Sequence, residues 1–215
     1  MNDISEITFI PLHRGRLGLT SCPGWPCAIG QPADWPAIVE AIRRRPATAV
    51  VSLMETPEFE RLGLSELPRL LDEIMALWLH LPIRDHDIPG QRWKERWQLA
   101  RLLIAGLLIE GNNVVIHCLD GLGRTGTVAA LCLVDGGSYS GREAINEIRH
   151  VHNIHAVETP QQRQLVQRYV PEPVLTTDTV RDDLERVSAK LEMRSLLTNA
   201  GRIDPDNARI ALQQW

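Results

Sequence analysis

The stretch "VVIHCLDGLGRTGT", residues 114 to 127, decides how this chain folds and what it can do. Val114, Val115 and Ile116 are apolar and β-branched, the composition of a buried strand. The strand runs into His117 and Cys118. Gly121, Gly123 and Gly126 then surround a single arginine, Arg124, before "TGTVAALCLV" opens as a helix. Strand, glycine-rich turn and helix in succession is the local plan of a phosphate-binding loop.

Three versions of that plan compete. Gly121, Gly123 and Gly126 fit the G-x-G-x-x-G of dinucleotide-binding folds. That version needs a second strand ending in an acidic residue about twenty positions on, where "SGREAINEIRHV" instead reads as helix. A Walker loop needs lysine after its last glycine, and Thr127 stands there. The third version uses Cys118 and Arg124. A thiol reacts as thiolate, and its pKa of about 8.5 falls to roughly 3.5–7.5 beside cations and helix N-termini. Loop amides and the positive end of the helix lower that pKa and also hold phosphate oxygens. Arg124 adds a planar fork of donors matched to a phosphoryl group, and the intervening residues Leu119, Asp120, Gly121, Leu122 and Gly123 form the cradle.

Around the loop, β and α patterns alternate. "ITFIPL" and "RLGLT" predict a short β pair, "ADWPAIVEAIRRR" a helix capped by Asp34 with Pro36 in its first turn, and "TAVVSLM" a strand. "SELPRLLDEIMAL" predicts a helix and "WLHLPI" (78–83) a strand, followed by the polar loop "RDHDIPG". A long helix covers about Arg92 to Ile109, "NVVIH" is the next strand, and "SGREAINEIRHV" and "TPQQRQLVQRYV" are further helices. This alternation predicts an α/β fold with a single small, mainly parallel central sheet flanked by helices. Residues 118–124 then lie beyond the carboxyl end of a strand, where such sheets bind ligands.

Pro171 and Pro173 mark a boundary, giving a body over 1–170 and a helical C-terminal extension over 171–215. In the extension, Leu184, Val187 and Leu191 recur at helical spacing and predict a stripe that packs on the body, with a partner or dimer surface as the alternative.

With 215 residues, 44% of them hydrophobic, the chain can bury a full core. A net charge of −4 provides no basic field for nucleic acid or anionic membrane. The longest apolar run, "LARLLIAGLLIEG", is interrupted by Arg101 and too short to span a bilayer, and the N-terminus has no signal-peptide pattern. A cytoplasmic location is expected, with Cys22, Cys27, Cys118 and Cys132 reduced. No C-x-x-C pair is present. His150, His152 and His155 read as a polar helix end and loop, not a metal site. No cofactor and no metal are expected, and the oligomeric state is not set by the sequence.

"HCLDGLGRTG" carries the H-C-x5-R-[S/T] signature and resembles that of cysteine-dependent protein tyrosine and dual-specificity phosphatases. "LGLTSCPG", "LPIRDHDIP" and "AVETPQQ" resemble segments of the kinase-associated phosphatase branch, which acts on cyclin-dependent kinases. The resemblance spans roughly 7–170, and the tail beyond it matches nothing. It implies two-step hydrolysis of a phosphate monoester through a phosphocysteine on Cys118, with Arg124 holding the phosphoryl oxygens. Asp85 is implied as the acid, with Asp87 as the alternate. The resemblance further implies that Thr125 helps the sulfur depart and that His117 orders the loop, and Gln162 matches a glutamine that positions water in the family, although a surface helix position is the competing reading. "RHVHNIHAVET" departs from the family's usual R-P-G-A-I-E-T.

The expected substrate is a phosphorylated protein, with a protein kinase as a further partner. The alternatives are a phosphoinositide or other small phosphoester, or a weakly catalytic module that binds phosphoproteins or kinases. Asp120, the only charge between Cys118 and Arg124, argues against a second phosphate near the cradle.

Overall fold

Residues Thr8–Leu12 (β1) and Gly15–Thr20 (β2) form an antiparallel hairpin turned by His13 and Arg14, with positive φ at His13. β2 then leaves the hairpin to pair in parallel with Asn113–His117 (β5). On its other edge β5 pairs in parallel with Ala49–Ser52 (β3), which pairs in parallel with Leu77–His80 (β4). The sheet order is therefore β1-β2-β5-β3-β4. The computed structural model describes residues 7–23, 47–74, 77–171, 175–190, 196–198 and 202–214. The helix expected over 33–45, together with Cys27 and Leu191, lies outside the described residues.

Alternate residues of β5 face opposite sides. Val114 and Ile116 join the larger apolar core, and Val115 joins a smaller one with Val50, Phe59, Leu67 and Leu71. The smaller core is covered by Thr56–Arg61 (α1) and Leu67–Ile74 (α2). The larger is covered by Gln91–Ile109 (α3), Gly123–Asp135 (α4), Gly141–Val151 (α5) and Pro160–Arg168 (α6). Helices on both faces of a mainly parallel sheet is the architecture the alternation predicts.

Four differences from the pattern bear on the site. The strand expected over 78–83 ends at His80, because Pro82 has no N–H to continue the ladder. The amides of Leu81 and Ile83 still donate to the carbonyls of Ser52 and Leu53. The helix expected over 65–77 is shorter, since Leu77 belongs to β4. Helix α1, not anticipated, begins at a capping box between Glu55 and Glu58 with proline in its first turn. Helix α4 starts at Gly123, so Arg124 lies on its first turn and not on the loop.

Beyond residue 170, Thr177–Lys190 (α7) and Pro205–Gln214 (α8) both pack against α3, and Leu175, Val180, Leu184 and Ile203 belong to the larger core. A buried polar cluster stands at this junction. Arg101 Nη2 lies 2.7 Å from Asp135 Oδ1, the Tyr169 hydroxyl donates to Asp135 at 2.9 Å, and the Leu175 amide donates to the Asp135 carbonyl. Burial pushes the Asp135 carboxyl up, against the pull of Arg101. Removing one partner of such a pair leaves the other charge buried without compensation, a loss of about 3–5 kcal/mol. Asp135→Ala should therefore lower the melting temperature by on the order of 10 °C. A melt within a degree or two of the parent would show that this cluster contributes little.

Candidate active site

Each of the four parallel strands delivers one part of the site from its carboxyl end. β5 delivers the loop. Its last residue, His117, is fully buried. His117 Nδ1 lies 3.2 Å from the Cys118 carbonyl oxygen, and its Nε2 lies 2.6 Å from Ser52 Oγ at the end of β3. A carbonyl oxygen only accepts, so Nδ1 carries the hydrogen and Nε2 accepts from the serine hydroxyl. Ser52 Oγ in turn accepts from Trp78 Nε1 on β4 at 3.0 Å. Three adjacent strands thus fix one imidazole. Cys118 follows as a buried thiol outside any disulfide.

The loop carbonyls are held from outside. The Cys118 oxygen accepts from His117, the Leu119 oxygen from the Cys22 amide at 2.9 Å, and the Gly121 oxygen from His152 Nε2 at 2.9 Å. In a trans peptide the C=O and the next N–H point in opposite directions. The amides of Leu119, Asp120 and Leu122 therefore face the loop interior. The α4 N-terminus adds its own amides there, since its N-cap residue, Leu122, makes no side-chain cap.

Gly121 has φ +77°, and a Cβ at this position would come within 2.7 Å of the Thr20 carbonyl and the Ser21 amide. Neither backbone group can yield cheaply, and the φ is itself unfavourable for an L side chain. Gly121→Ala is expected to distort the loop and reduce oxyanion affinity by tenfold or more, measured by titration with tungstate. An unchanged affinity would mean that the loop geometry is not what holds the anion.

Arg124 is almost fully buried. Its Nη1 donates to Glu58 Oε2 at 2.7 Å and to the Ile83 carbonyl at 3.1 Å, and its Nη2 donates to Glu58 Oε1 at 3.0 Å. Asp85 Oδ1 lies 3.0 Å from the same Nη2. Burial by itself lowers the guanidinium pKa, but Glu58, the Cys118 sulfur and Asp85 outweigh it and hold it above its ordinary value. Glu58 thus occupies the outer edge of the fork that the sequence assigns wholly to phosphate. Among the described residues, Arg124 Nε and the buried Thr125 Oγ1 have no hydrogen-bond partner, an uncommon state for buried polar atoms.

The two candidate acids are separated by geometry. Asp85, half exposed, lies on Arg124, with His86 Nε2 3.8 Å away. The Asp87 carboxylate instead accepts from the Ile88 amide at 2.8 Å, closing a local turn. The Asp87 carbonyl accepts from Gln162 Nε2 at 3.1 Å. Gln162 is fully buried and is not a surface residue. Its Oε1 accepts from the Thr159 amide, so it caps α6 and ties that helix to the acid-bearing loop. Leu119 is half-buried, Asp120 is exposed, and Gly121 and Gly123 are buried. Among the described residues, no three His, Cys, Asp or Glu side chains group as metal ligands, and no helix is long and apolar enough to cross a membrane.

No sequence pattern marks Glu58, Ser52, Trp78 or His152 as a site residue. Only Glu58 had a local signal, the E-T-P-E capping pattern, and that marks a helix start, not a partner for Arg124.

The family model described as "Tc-R-P: Polymorphic toxin system, DSP-PTPase phosphatase" matches residues 35–138. An uncharacterized protein of Methanocaldococcus jannaschii is 34% identical over 92 residues, 43% of this chain and 58% of the relative. The chain thus spans less than two thirds of that relative's length. The crystal structure of kinase-associated phosphatase, with its catalytic-site cysteine substituted by serine, superposes with a TM-score of 0.67 at 21% identity, covering 77% of this chain and 94% of that one. Tk-PTP in its active form gives 0.51 at 26% identity, covering 79% and 100%. PTPMT1 in complex with PI(5)P gives 0.52 at 18% identity, covering 74% and 92%.

Proposed function

Because the chain belongs to the superfamily of cysteine-dependent dual-specificity and tyrosine phosphatases, with a phosphatase domain of that type, we propose that it hydrolyses phosphate monoesters on proteins through a phosphocysteine intermediate. The observation that carries the reading is Arg124 set against the Cys118 sulfur, its outer edge held by Glu58 while its buried Nε has no partner among the described residues.

In the first step the Cys118 thiolate attacks phosphorus and the ester bond breaks. Asp85 gives its proton to the leaving oxygen, producing an alcohol or phenol and a thiophosphate bond on Cys118. In the second step Asp85, now a carboxylate, takes a proton from water as the water oxygen attacks phosphorus. Inorganic phosphate leaves and the sulfur returns as thiolate. Arg124 Nε and Nη2 and the inward amides hold the phosphoryl oxygens through both steps, with Asp85 released from Nη2 as the substrate enters. Thr125 Oγ1 hydrogen-bonds the departing sulfur, His117 keeps the loop in register, and Gln162 holds the acid loop near the attacking water. The phosphatase domain is assigned to 1–170 and the extension to 171–215, with a cytoplasmic location and a protein kinase among the partners.

The charge around the mouth supports a substrate with one phosphate. Asp120 is exposed on the loop, the Glu158 carboxylate stands beside Gly123, and the Asp85 carboxylate lies on Arg124. A second phosphate would meet carboxylates there, and "RDHDIPG" supplies one arginine against two aspartates. The likeness to PTPMT1 bound to PI(5)P favours a second reading, a phosphoinositide substrate. A side-by-side panel decides between them. Phosphotyrosine peptides and aryl phosphates should exceed phosphatidylinositol phosphates in kcat/KM, with phosphoserine and phosphothreonine peptides slower than phosphotyrosine. A phosphoinositide at the head of the ranking would promote the second reading. Absence of turnover on every substrate would leave a binding module.

A further inference from the structure

His152 lies just beyond α5, as its C-cap residue, in the stretch that departs from the family's usual sequence. Of the three histidines in "RHVHNIH", His150 and His155 are exposed, and His152 alone is half-buried. Its Nδ1 lies 2.9 Å from Thr8 Oγ1 on β1 and its Nε2 lies 2.9 Å from the Gly121 carbonyl oxygen. The carbonyl has only lone pairs to offer, so Nε2–H is the donor. Nδ1 of the neutral ring then accepts from the Thr8 hydroxyl.

We propose that His152 is a positioning residue of the phosphate-binding loop, acting through the Gly121–Leu122 peptide and braced by Thr8. The proposal rests on reading that loop as an oxyanion cradle. A glycine at positive φ leaves its flanking peptide freer to rotate than any other residue would. Rotation of this peptide would turn the Gly121 carbonyl, a negative dipole, toward the anion in place of the Leu122 amide. His152 holds the carbonyl outward, so Leu122 N–H stays inward beside the α4 N-terminus. The neighbouring peptides are fixed by His117 and the Cys22 amide. At Gly121, His152 performs the same task from a different part of the chain.

The amide donates to phosphoryl oxygens in both the bound substrate and the transition state, so its loss weakens binding more than the chemical step. Four full-length proteins test this: the parent, His152→Leu, His152→Gln and Thr8→Val. Each is titrated with tungstate by calorimetry and assayed on an aryl phosphate. His152→Leu should weaken tungstate binding and raise KM by about tenfold, the scale of one hydrogen bond, with kcat within roughly threefold. His152→Gln, whose amide can still donate to Gly121, should recover most of the loss. Thr8→Val should shift both constants the same way by about threefold, and decides the matter if the leucine variant does not fold. Parental affinity and KM in His152→Leu, or a glutamine variant no better than leucine, would overturn the proposal. Tungstate binding that responds as stated in a parent without turnover would refute the phosphatase reading and leave the clamp standing. A parent that neither binds nor turns over refutes both.

Discussion

A Cys118→Ser variant is expected to lose hydrolysis of every phosphate monoester by at least about four orders of magnitude while still binding tungstate and phosphopeptides. A serine hydroxyl is not ionised near neutral pH and is a far weaker nucleophile than a thiolate. The groups that hold the anion are elsewhere: Arg124, the amides whose carbonyls are tied outward, and the uncapped start of α4. None of them is changed by exchanging sulfur for oxygen. The variant therefore separates binding from chemistry and should retain its protein substrate long enough to be captured with it. Steady-state turnover together with calorimetric titration checks both halves. Residual turnover close to the parent would remove Cys118 from the mechanism, and loss of oxyanion binding would mean that the sulfur had been holding the anion.

What the sequence discloses about this fold follows the distance over which each signal acts. Strand β5, the loop and helix α4 are contiguous, so composition alone places them, and Asn113–His117 appears with the expected bounds. The mainly parallel sheet is legible because strands and helices alternate. Partners far apart in the chain left no trace. Glu58 meets Arg124 across 66 residues and Ser52 meets His117 across 65, and both contacts depend on the register of three parallel strands. The extension shows the same divide. Leu184 and Val187 do pack on the body as their helical spacing implied. The polar cluster of Arg101, Asp135 and Tyr169 at its root could not be inferred from any one segment.

Asp85→Asn is expected to slow an alkyl phosphate by roughly 10²–10⁴-fold and an aryl phosphate with a good leaving group far less. An alkoxide leaves poorly without a proton, whereas a nitrophenolate needs little help, so the ratio of the two rates reports the acid directly. The contact between Asp85 and Arg124, and the commitment of the Asp87 carboxylate to the Ile88 amide, support this assignment. If Asp87→Asn shows the selective loss and Asp85→Asn does not, the roles are reversed.

Turnover of phosphate monoesters by this chain should pass through a phosphoryl group on Cys118. Rapid acid quenching of the parent enzyme during hydrolysis of an aryl phosphate, followed by peptide mass spectrometry, tests it without relying on any variant. A phosphoryl adduct is expected on the peptide bearing Cys118, formed within the first turnover and lost once the substrate is exhausted. A phosphorylated histidine or aspartate, or steady turnover with no covalent adduct at the earliest quench times, would contradict it.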